Sequence, residues 1–189
     1  MSNKVTFGLK NVHYSLATIG NDDTWSFGAP KRLKGAQELT AEVISGKTDV
    51  YADDRILATL VSNSGTTLSV KFTEIDDDFK VDVLGFVNDS NDNLVEVISD
   101  RPKTFALGYE FQGDAKSRRV WYFLCTASPI SEGTKTKQES IEANSITLNI
   151  TARSIESGNY SVIRQIAKFG DDNYNAFFTT GPTLPTIGI

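Results

Sequence analysis

Apolar and polar side chains alternate strictly in several stretches of this chain, and this pattern restricts the possible folds more than any other feature. In the clearest stretch, 104–111, every second residue is large and apolar: Phe105, Leu107, Tyr109 and Phe111. Residues 68–72 and 146–152 alternate in the same way. Successive side chains of a β-strand point to opposite faces, so a period of two indicates strands. The sequence therefore predicts a mainly β protein.

Two predicted strands depart from simple alternation. The apolar residues of 5–9 share odd parity, whereas those of 12–16 share even parity. A slip of one residue reverses which face of a strand is buried, so we predict a β-bulge or a bend near Lys10–Asn11. Residues Val120–Leu124 are apolar at every position. That strand is expected to be covered on both faces, by the core on one side and by a helix or a neighbouring subunit on the other.

Three other segments break the strand pattern. Residues 76–87 begin with aspartates and then place apolar side chains at i, i+4 and i+7/i+8, which predicts one helix with an aspartate cap. The polar segment Gly46–Arg55 predicts an extended loop. The last nine residues, 181–189, contain two prolines and predict an arm that is frayed or lies on a partner. No repeat or boundary divides the remainder, so residues 1–180 are predicted to form a single domain.

The charge balance argues against several functional classes. The 189 residues include 19 basic and 24 acidic side chains, a net charge of -5. An acidic protein of this kind is not expected to bind nucleic acid through a basic surface. Nine of the acids lie between Glu74 and Asp100, which we place outside a subunit or between subunits. No apolar run is long enough for a membrane span, and the N-terminus lacks a signal-peptide core, so we expect a protein that stays in a cytoplasm.

Few residues are candidates for chemistry. The only histidine, His13, is expected on a strand facing solvent or a subunit contact, and the only cysteine, Cys125, is expected to be buried and inert. Residues 89–100 place oxygen ligands at the first, third and fifth positions of a calcium loop, but they carry leucine at the sixth, where the turn needs glycine. A polar turn is the preferred interpretation. Arg118 and Arg119 are expected to form salt bridges at a subunit seam. We expect no enzyme, no cofactor and no metal.

Six segments of the sequence, taken in order, resemble those of one protein family. They are KVTFGLKNVHY (4–14), YADD (51–54), LGYEFQGD (107–114), VWYFLCTAS (120–128), SITLNITA (145–152) and the pair Phe177–Phe178. Their order and spacing resemble the major tail proteins, or tail tube proteins, of siphophages that infect Gram-positive bacteria. The resemblance extends from the N-terminus to about Thr180.

This resemblance implies a β-sandwich or partly closed barrel with one flanking α-helix. Subunits of this kind join edge to edge in hexameric rings, and the rings stack into a tube. The resemblance assigns ring stacking to the loop residues Lys47, Thr48, Asp49, Val50, Tyr51, Ala52, Asp53, Asp54 and Arg55, with Tyr51 as the anchor. It assigns secondary contacts between subunits to two arms, represented by Ser2, Asn3, Lys4, Pro182, Leu184, Pro185 and Ile187. The residues that line the lumen stay unassigned.

The same resemblance implies a structural function in the virion. The protein would form the tail tube, assembled in the host cytoplasm, through which the phage ejects its double-stranded DNA. Its partners would be further copies of itself, the tape measure protein and the tail-end proteins, while DNA passes without specific binding. An acidic tube suits this passage, because like charge prevents tight contact with phosphates.

Two alternative functions remain open. A tail-terminator or secretion-system tube protein would form a similar ring without unlimited stacking. A carbohydrate-binding β-sandwich of a host-recognition device would use Trp25, Trp121 and tyrosines as platforms for sugar rings. The carbohydrate hypothesis requires exposed aromatic side chains, whereas we expect Trp121 to be buried.

Overall fold

The computed structural model describes residues 8–52, 54–99, 101–114, 116–130 and 145–186. Within them the chain forms thirteen strands: β1 (Leu9–Ile19), β2 (Trp25–Phe27), β3 (Lys31–Arg32), β4 (Ala36–Ala52), β5 (Arg55–Phe72), β6 (Phe86–Asn88), β7 (Leu94–Glu96), β8 (Phe105–Phe111), β9 (Arg119–Ala127), β10 (Ile146–Arg153), β11 (Ile155–Ser157), β12 (Tyr160–Val162) and β13 (Arg164–Ala167). A short helix, α1 (Asp77–Phe79), continues into a π-helical segment, Lys80–Leu84. The prediction of a mainly β protein with one flanking helix is confirmed.

Nine strands form one antiparallel sheet, whose main order is β2-β1-β8-β9-β10-β5-β4. Strand β3 pairs with β1, and β13 pairs with β9. One edge of β9 pairs with β8, and the other edge is shared between β13 and β10. Strands β2 and β4 end the main path, so the sheet is open within the residues that the structure describes. Two small hairpins, β6-β7 and β11-β12, stand apart from it.

The bulge predicted in the N-terminal strand is present. The register of β1 against β8 shifts between Lys10 and His13, and Asn11 has a φ of 52°. After the shift, Val12 and Tyr14 are buried in the core. The extra residue therefore accounts for the change of parity in the sequence.

The main core lies between the sheet and the helical segment. Phe79 packs edge-on against Tyr14 and Phe105, with ring centroids 5.0 and 5.6 Å apart. Tyr14 Oη donates a hydrogen bond to Asp82 Oδ2 at 2.8 Å, and Lys31 Nζ lies 2.6 Å from the same oxygen. Burial raises the pKa of Asp82, but the hydrogen bonds from Lys31 and Tyr14 lower it more, so this pKa lies below its usual range. The helical segment is thus fastened to β1 and β3.

The helical segment is shorter than the helix predicted over 76–87. The π-helical part ends at Gly85, which has a φ of 85°. Glycine adopts this left-handed conformation without strain and commonly ends helices, and the two residues after it enter β6. Asp76 precedes α1 without a side-chain cap, so the predicted capping is also wrong.

The second face of β9 is covered by the C-terminal part of the same chain. Trp121 is fully buried against Tyr174 and Phe177, and its Nε1 donates to Phe177 O at 2.8 Å. Phe123 packs further along in a cluster that includes Leu184. The predicted covering by a helix or a neighbouring subunit is therefore wrong for this strand. The predicted burial of Trp121 is confirmed, so its ring offers no platform for a sugar.

The C-terminal arm predicted to contact a neighbouring subunit lies on its own chain as far as Thr186. Pro182 is buried, Leu184 joins the cluster beside β9, and Pro185 O accepts a hydrogen bond from Ser157 Oγ at 2.8 Å. The reason is that β9 presents large apolar side chains on this face, and the arm supplies apolar surface that removes them from water. The other predicted arm residues fall outside the described part of the chain: Ser2, Asn3, Lys4 and Ile187.

Candidate interaction surface

The hairpin of β4 and β5 extends beyond its neighbours in the sheet. Strand β5 pairs with β10 only over Thr66–Phe72, whereas its pairing with β4 continues outward to Ala52 and Arg55. We name the outer part, residues 43–52 and 54–65, the projecting hairpin. About ten residue pairs at 3.3 Å per residue give it a length of roughly 30 Å.

The predicted loop Gly46–Arg55 is the outer end of this hairpin, and the prediction of a loop is wrong. Strand β4 continues to Ala52, and β5 begins at Arg55. Glycine and aspartate are uncommon in strands, so the segment resembles a loop when it is considered alone. Its backbone is held by pairing with β5, and Thr59 Oγ1 adds a hydrogen bond to Asp49 Oδ1 at 2.6 Å.

The structure brings the predicted ring-stacking residues together at the end of the projecting hairpin. The described ones are Lys47, Thr48, Asp49, Val50, Tyr51, Ala52, Asp54 and Arg55. Asp53 lies outside the described residues. Tyr51, the predicted anchor, is 68% exposed. An exposed aromatic ring on a paired strand is well placed to contact another molecule.

Large apolar side chains are exposed along both strands of the projecting hairpin. They are Val43, Ile44, Val50, Tyr51, Ile56, Leu57, Leu60 and Val61, and they make up eight of the fifteen large exposed hydrophobic side chains in the described residues. A concentration of this kind on one projecting element makes the hairpin a candidate interaction surface.

Both faces of the projecting hairpin carry these apolar groups. Residues directly opposite each other on paired strands share a face. The pair Thr48–Leu60 places Leu60 on one face, and the adjacent pair Lys47–Val61 places Val61 on the other. A hairpin with one apolar face can lie flat on a partner. This hairpin presents apolar side chains on both faces.

The projecting hairpin also has two unpaired edges within the described residues. Strand β4 ends the sheet, and β5 pairs with β4 alone over residues 55–65. Free backbone N–H and C=O groups along such edges can pair with a strand of another chain. The arrangement therefore suits association between chains through both side chains and backbone.

The structure places His13 against the C-terminal segment instead of solvent or a subunit contact. Its ring stacks on Phe178 with centroids 4.7 Å apart, and its Nδ1 lies 2.8 Å from Asn11 O. Burial lowers the pKa of His13, the hydrogen bond to Asn11 O opposes this, and the charges of Arg32 and Arg119 lower the pKa further. A neutral imidazole at this position fits a packing role.

The paired arginines form their contacts within the chain, which corrects the prediction of a subunit seam. Arg118 pairs with Asp114, and Arg119 Nε lies 3.2 Å from Glu110 Oε2. The Arg119 guanidinium also lies over the Tyr174 ring, 4.1 Å from its centroid. Both arginines therefore stabilise the fold of one subunit.

Two other sequence candidates have structural roles. Cys125 is fully buried, which confirms the prediction of a buried cysteine, and burial raises the pKa of its thiol to about 12. Asp89 closes the β6-β7 turn, since its Oδ1 accepts hydrogen bonds from the backbone N–H groups of Asn91 and Asn93 at 2.8 Å each.

In the part of the chain that the structure describes, no group of three or more His, Cys, Asp or Glu side chains could hold a metal ion. None of the described helices could cross a membrane.

The second strand of the projecting hairpin was not among the predicted stacking residues, which end at Arg55. Residues 56–61 read ILATLV, which is apolar at both parities. The same signal correctly indicated a strand covered on both faces at 120–124, and it could have identified this one.

Comparison with known proteins adds no family, because no family model matches the chain and no curated protein matches it.

Proposed function

We propose that this protein is a structural subunit that self-assembles into hexameric rings, which stack into the tail tube of a phage virion. The observation that carries the proposal is the projecting hairpin, which is apolar on both faces and unpaired at both edges. Closure of a ring removes free strand edges, and stacking of rings supplies a second covering surface. The ordered segments that resemble tail tube proteins support the choice of tube.

In this proposal the protein performs no bond chemistry. The tube is assembled in the host cytoplasm around a tape measure protein, is completed by tail-end proteins, and then conducts double-stranded DNA. Each subunit contributes a net charge of -5, so the assembled wall repels phosphates and prevents the counterion release that would make DNA bind tightly.

The test is electron microscopy of the purified protein at increasing concentration, with a truncated variant beside it. In that variant, residues 46–62 are replaced by Asn-Gly, which leaves Ser45 opposite Asn63 across a two-residue turn. The described side chains among those removed contribute nothing to the buried clusters, so the variant should fold. We expect tubes from the intact chain and none from the truncated one.

A matched pair of variants tests whether assembly depends on the apolar side chains of the hairpin in particular or on any exposed apolar side chain. Ile98 is fully exposed on another segment, so Ile98→Lys should assemble normally, whereas Val61→Lys should not. Rings that never stack would favour the tail-terminator alternative. An intact chain that forms neither rings nor tubes at any concentration would overturn the proposal.

A further inference from the structure

A cavity of about 230 Å³ lies where the sheet is open, between the beginning of β1 and the beginning of β4. Its lining includes Leu9, Gln37, Glu38, Leu39, Tyr109 and Phe111. Three of these side chains, Leu9, Leu39 and Phe111, are partly buried and pack against the main core. The cavity therefore extends the core to the surface, with polar groups beside apolar walls.

We infer that this cavity is a socket for the end of the projecting hairpin of a second copy of the chain. Tyr51 and Ile56 of that copy enter the socket, and its Arg55 lies beside Glu38. The inference rests on the proposed tube, and it identifies the surface that receives the hairpin.

The distance between the two surfaces requires two molecules. Glu38 and Tyr51 lie near opposite ends of the same strand, β4. Thirteen residues at 3.3 Å each separate them by roughly 40 Å, so a chain cannot fill its own socket. A contact between one end of a molecule and the other end of the next is heterologous, and it repeats without closing when successive molecules are related by translation. This is the geometry that stacking of rings requires.

The chemistry of the two surfaces is complementary. Tyr51 and Ile56 are directly paired on the hairpin and are 68% and 53% exposed, so they present one apolar unit. In the socket, Tyr109 and Phe111 meet edge to face with centroids 5.3 Å apart, an arrangement that accepts another apolar or aromatic group. At the hairpin end, Arg55 carries a charge opposite to that of Glu38, whereas the adjacent Asp54 carries the same sign. The favoured orientation is therefore the one that brings Arg55, and not Asp54, towards Glu38.

Crosslinking tests the contact directly. In the double variant Glu38→Cys/Arg55→Cys, the two new thiols are too far apart to be joined within one chain, and Cys125 is buried. A short bismaleimide should therefore join successive copies into a ladder of dimers, trimers and longer species on a denaturing gel. Each single variant, with one reactive thiol per chain, should give no ladder.

A charge exchange supplies an independent readout. Arg55→Glu should raise the protein concentration needed for tube formation several-fold, and Glu38→Lys/Arg55→Glu should bring it back towards the original value. Glu96→Lys, an exposed charge change elsewhere, should leave it nearly unchanged. Tubes without a ladder and without rescue would overturn the socket while leaving the proposed function intact.

Two further results would overturn the inferred socket. If Asn3→Cys/Glu38→Cys crosslinks within one chain and the intermolecular ladder is absent, the chain's own N-terminal residues occupy the cavity and the inference is wrong. If the unmodified protein forms no assembly at all, the proposed function fails, and the socket fails with it.

Discussion

At the scale of single residues, Glu110 links three parts of the molecule. It is the one charged side chain that is fully buried among the described residues. Asn11 Nδ2 donates to its Oε2 at 2.9 Å, and Lys10 Nζ lies 3.0 Å from its Oε1. Arg119 Nε donates to Oε2 at 3.2 Å, and Arg119 Nη1 donates to Tyr174 O at 2.6 Å. Glu110 thus connects the bulge of β1 to β9 and to the C-terminal segment.

The protonation of Glu110 should affect stability in one direction. Burial raises the pKa of Glu110, but the hydrogen bonds from Asn11 and Lys10 outweigh it and hold the pKa below the usual value of 4.5. The ionised carboxylate therefore stabilises the fold above pH 4.5, and this stabilisation is lost as the pH falls through the lowered pKa.

Glu110→Gln should lower the free energy of unfolding by about 1–3 kcal/mol at pH 7, because charged hydrogen bonds are lost and Arg119 loses its counter-charge. The difference in free energy of unfolding from the unmodified protein should narrow as the pH falls from 4.5 through the lowered pKa of Glu110. Urea unfolding at pH 7 and at acidic pH measures both values. Glu96→Gln, at an exposed position, is the control. An equal loss at both pH values would contradict this role of the charge.

At the scale of elements, local pattern predicted the core strands and failed at elements fixed by partners distant in sequence. The bulge at Lys10–Asn11 was predictable because the change of parity is contained within one strand. The first strand of the projecting hairpin was not, because Gly46 and Asp49 disfavour a strand and only pairing with residues 56–62 compensates. The helix was predicted at the right place but too long, because Gly85 changes backbone conformation inside the apolar periodicity.

The C-terminal arm, residues 181–189, was misassigned for a related reason. It has two prolines and no regular periodicity, which predicts an arm that is frayed or lies on a partner, yet as far as Thr186 it continues the cover that residues 174–178 give to β9. Tyr174 and Phe177 bury Trp121, and the Phe178 ring lies against His13 and 5.2 Å from the Arg119 guanidinium. Its contacts with β9 show that this segment belongs to the core of one subunit.

Phe177→Ala should therefore destabilise the folded chain by about 3–5 kcal/mol, the usual cost of removing a buried phenyl ring. Trp121 fluorescence should shift to longer wavelength as water reaches the indole. Phe169→Ala removes a 74% exposed ring of the same segment and should cost less than about 1 kcal/mol. Thermal or urea unfolding monitored by fluorescence compares the two. A normal unfolding midpoint for Phe177→Ala would mean that the segment does not hold the second face of β9.

At the scale of the whole molecule, acidic and apolar surfaces occupy different elements. The described acids of residues 74–99 are mostly exposed, around α1 and the β6-β7 hairpin, whereas the projecting hairpin holds most of the exposed apolar groups. The sequence predicted the acidic cluster from composition alone. It could not predict the socket, because Leu39 and Phe111 are far apart in sequence and meet only where the folded sheet stays open.

This separation predicts how salt affects assembly. Each copy brings a net charge of -5, so copies repel one another, while their contacts depend mainly on apolar burial. Added salt shortens the screening length, which is about 10 Å at 0.1 M, and so weakens this repulsion. The proposed contact contributes only one ion pair, Arg55 with Glu38, so salt weakens the attraction between copies less than the repulsion. The protein concentration at which tubes appear should therefore fall as salt is raised at pH 7, measured by light scattering and sedimentation. The variant lacking residues 46–62 should stay unassembled at every salt concentration. A threshold that rises with salt would show instead that ion pairs between copies, and not the apolar hairpin, hold the assembly together.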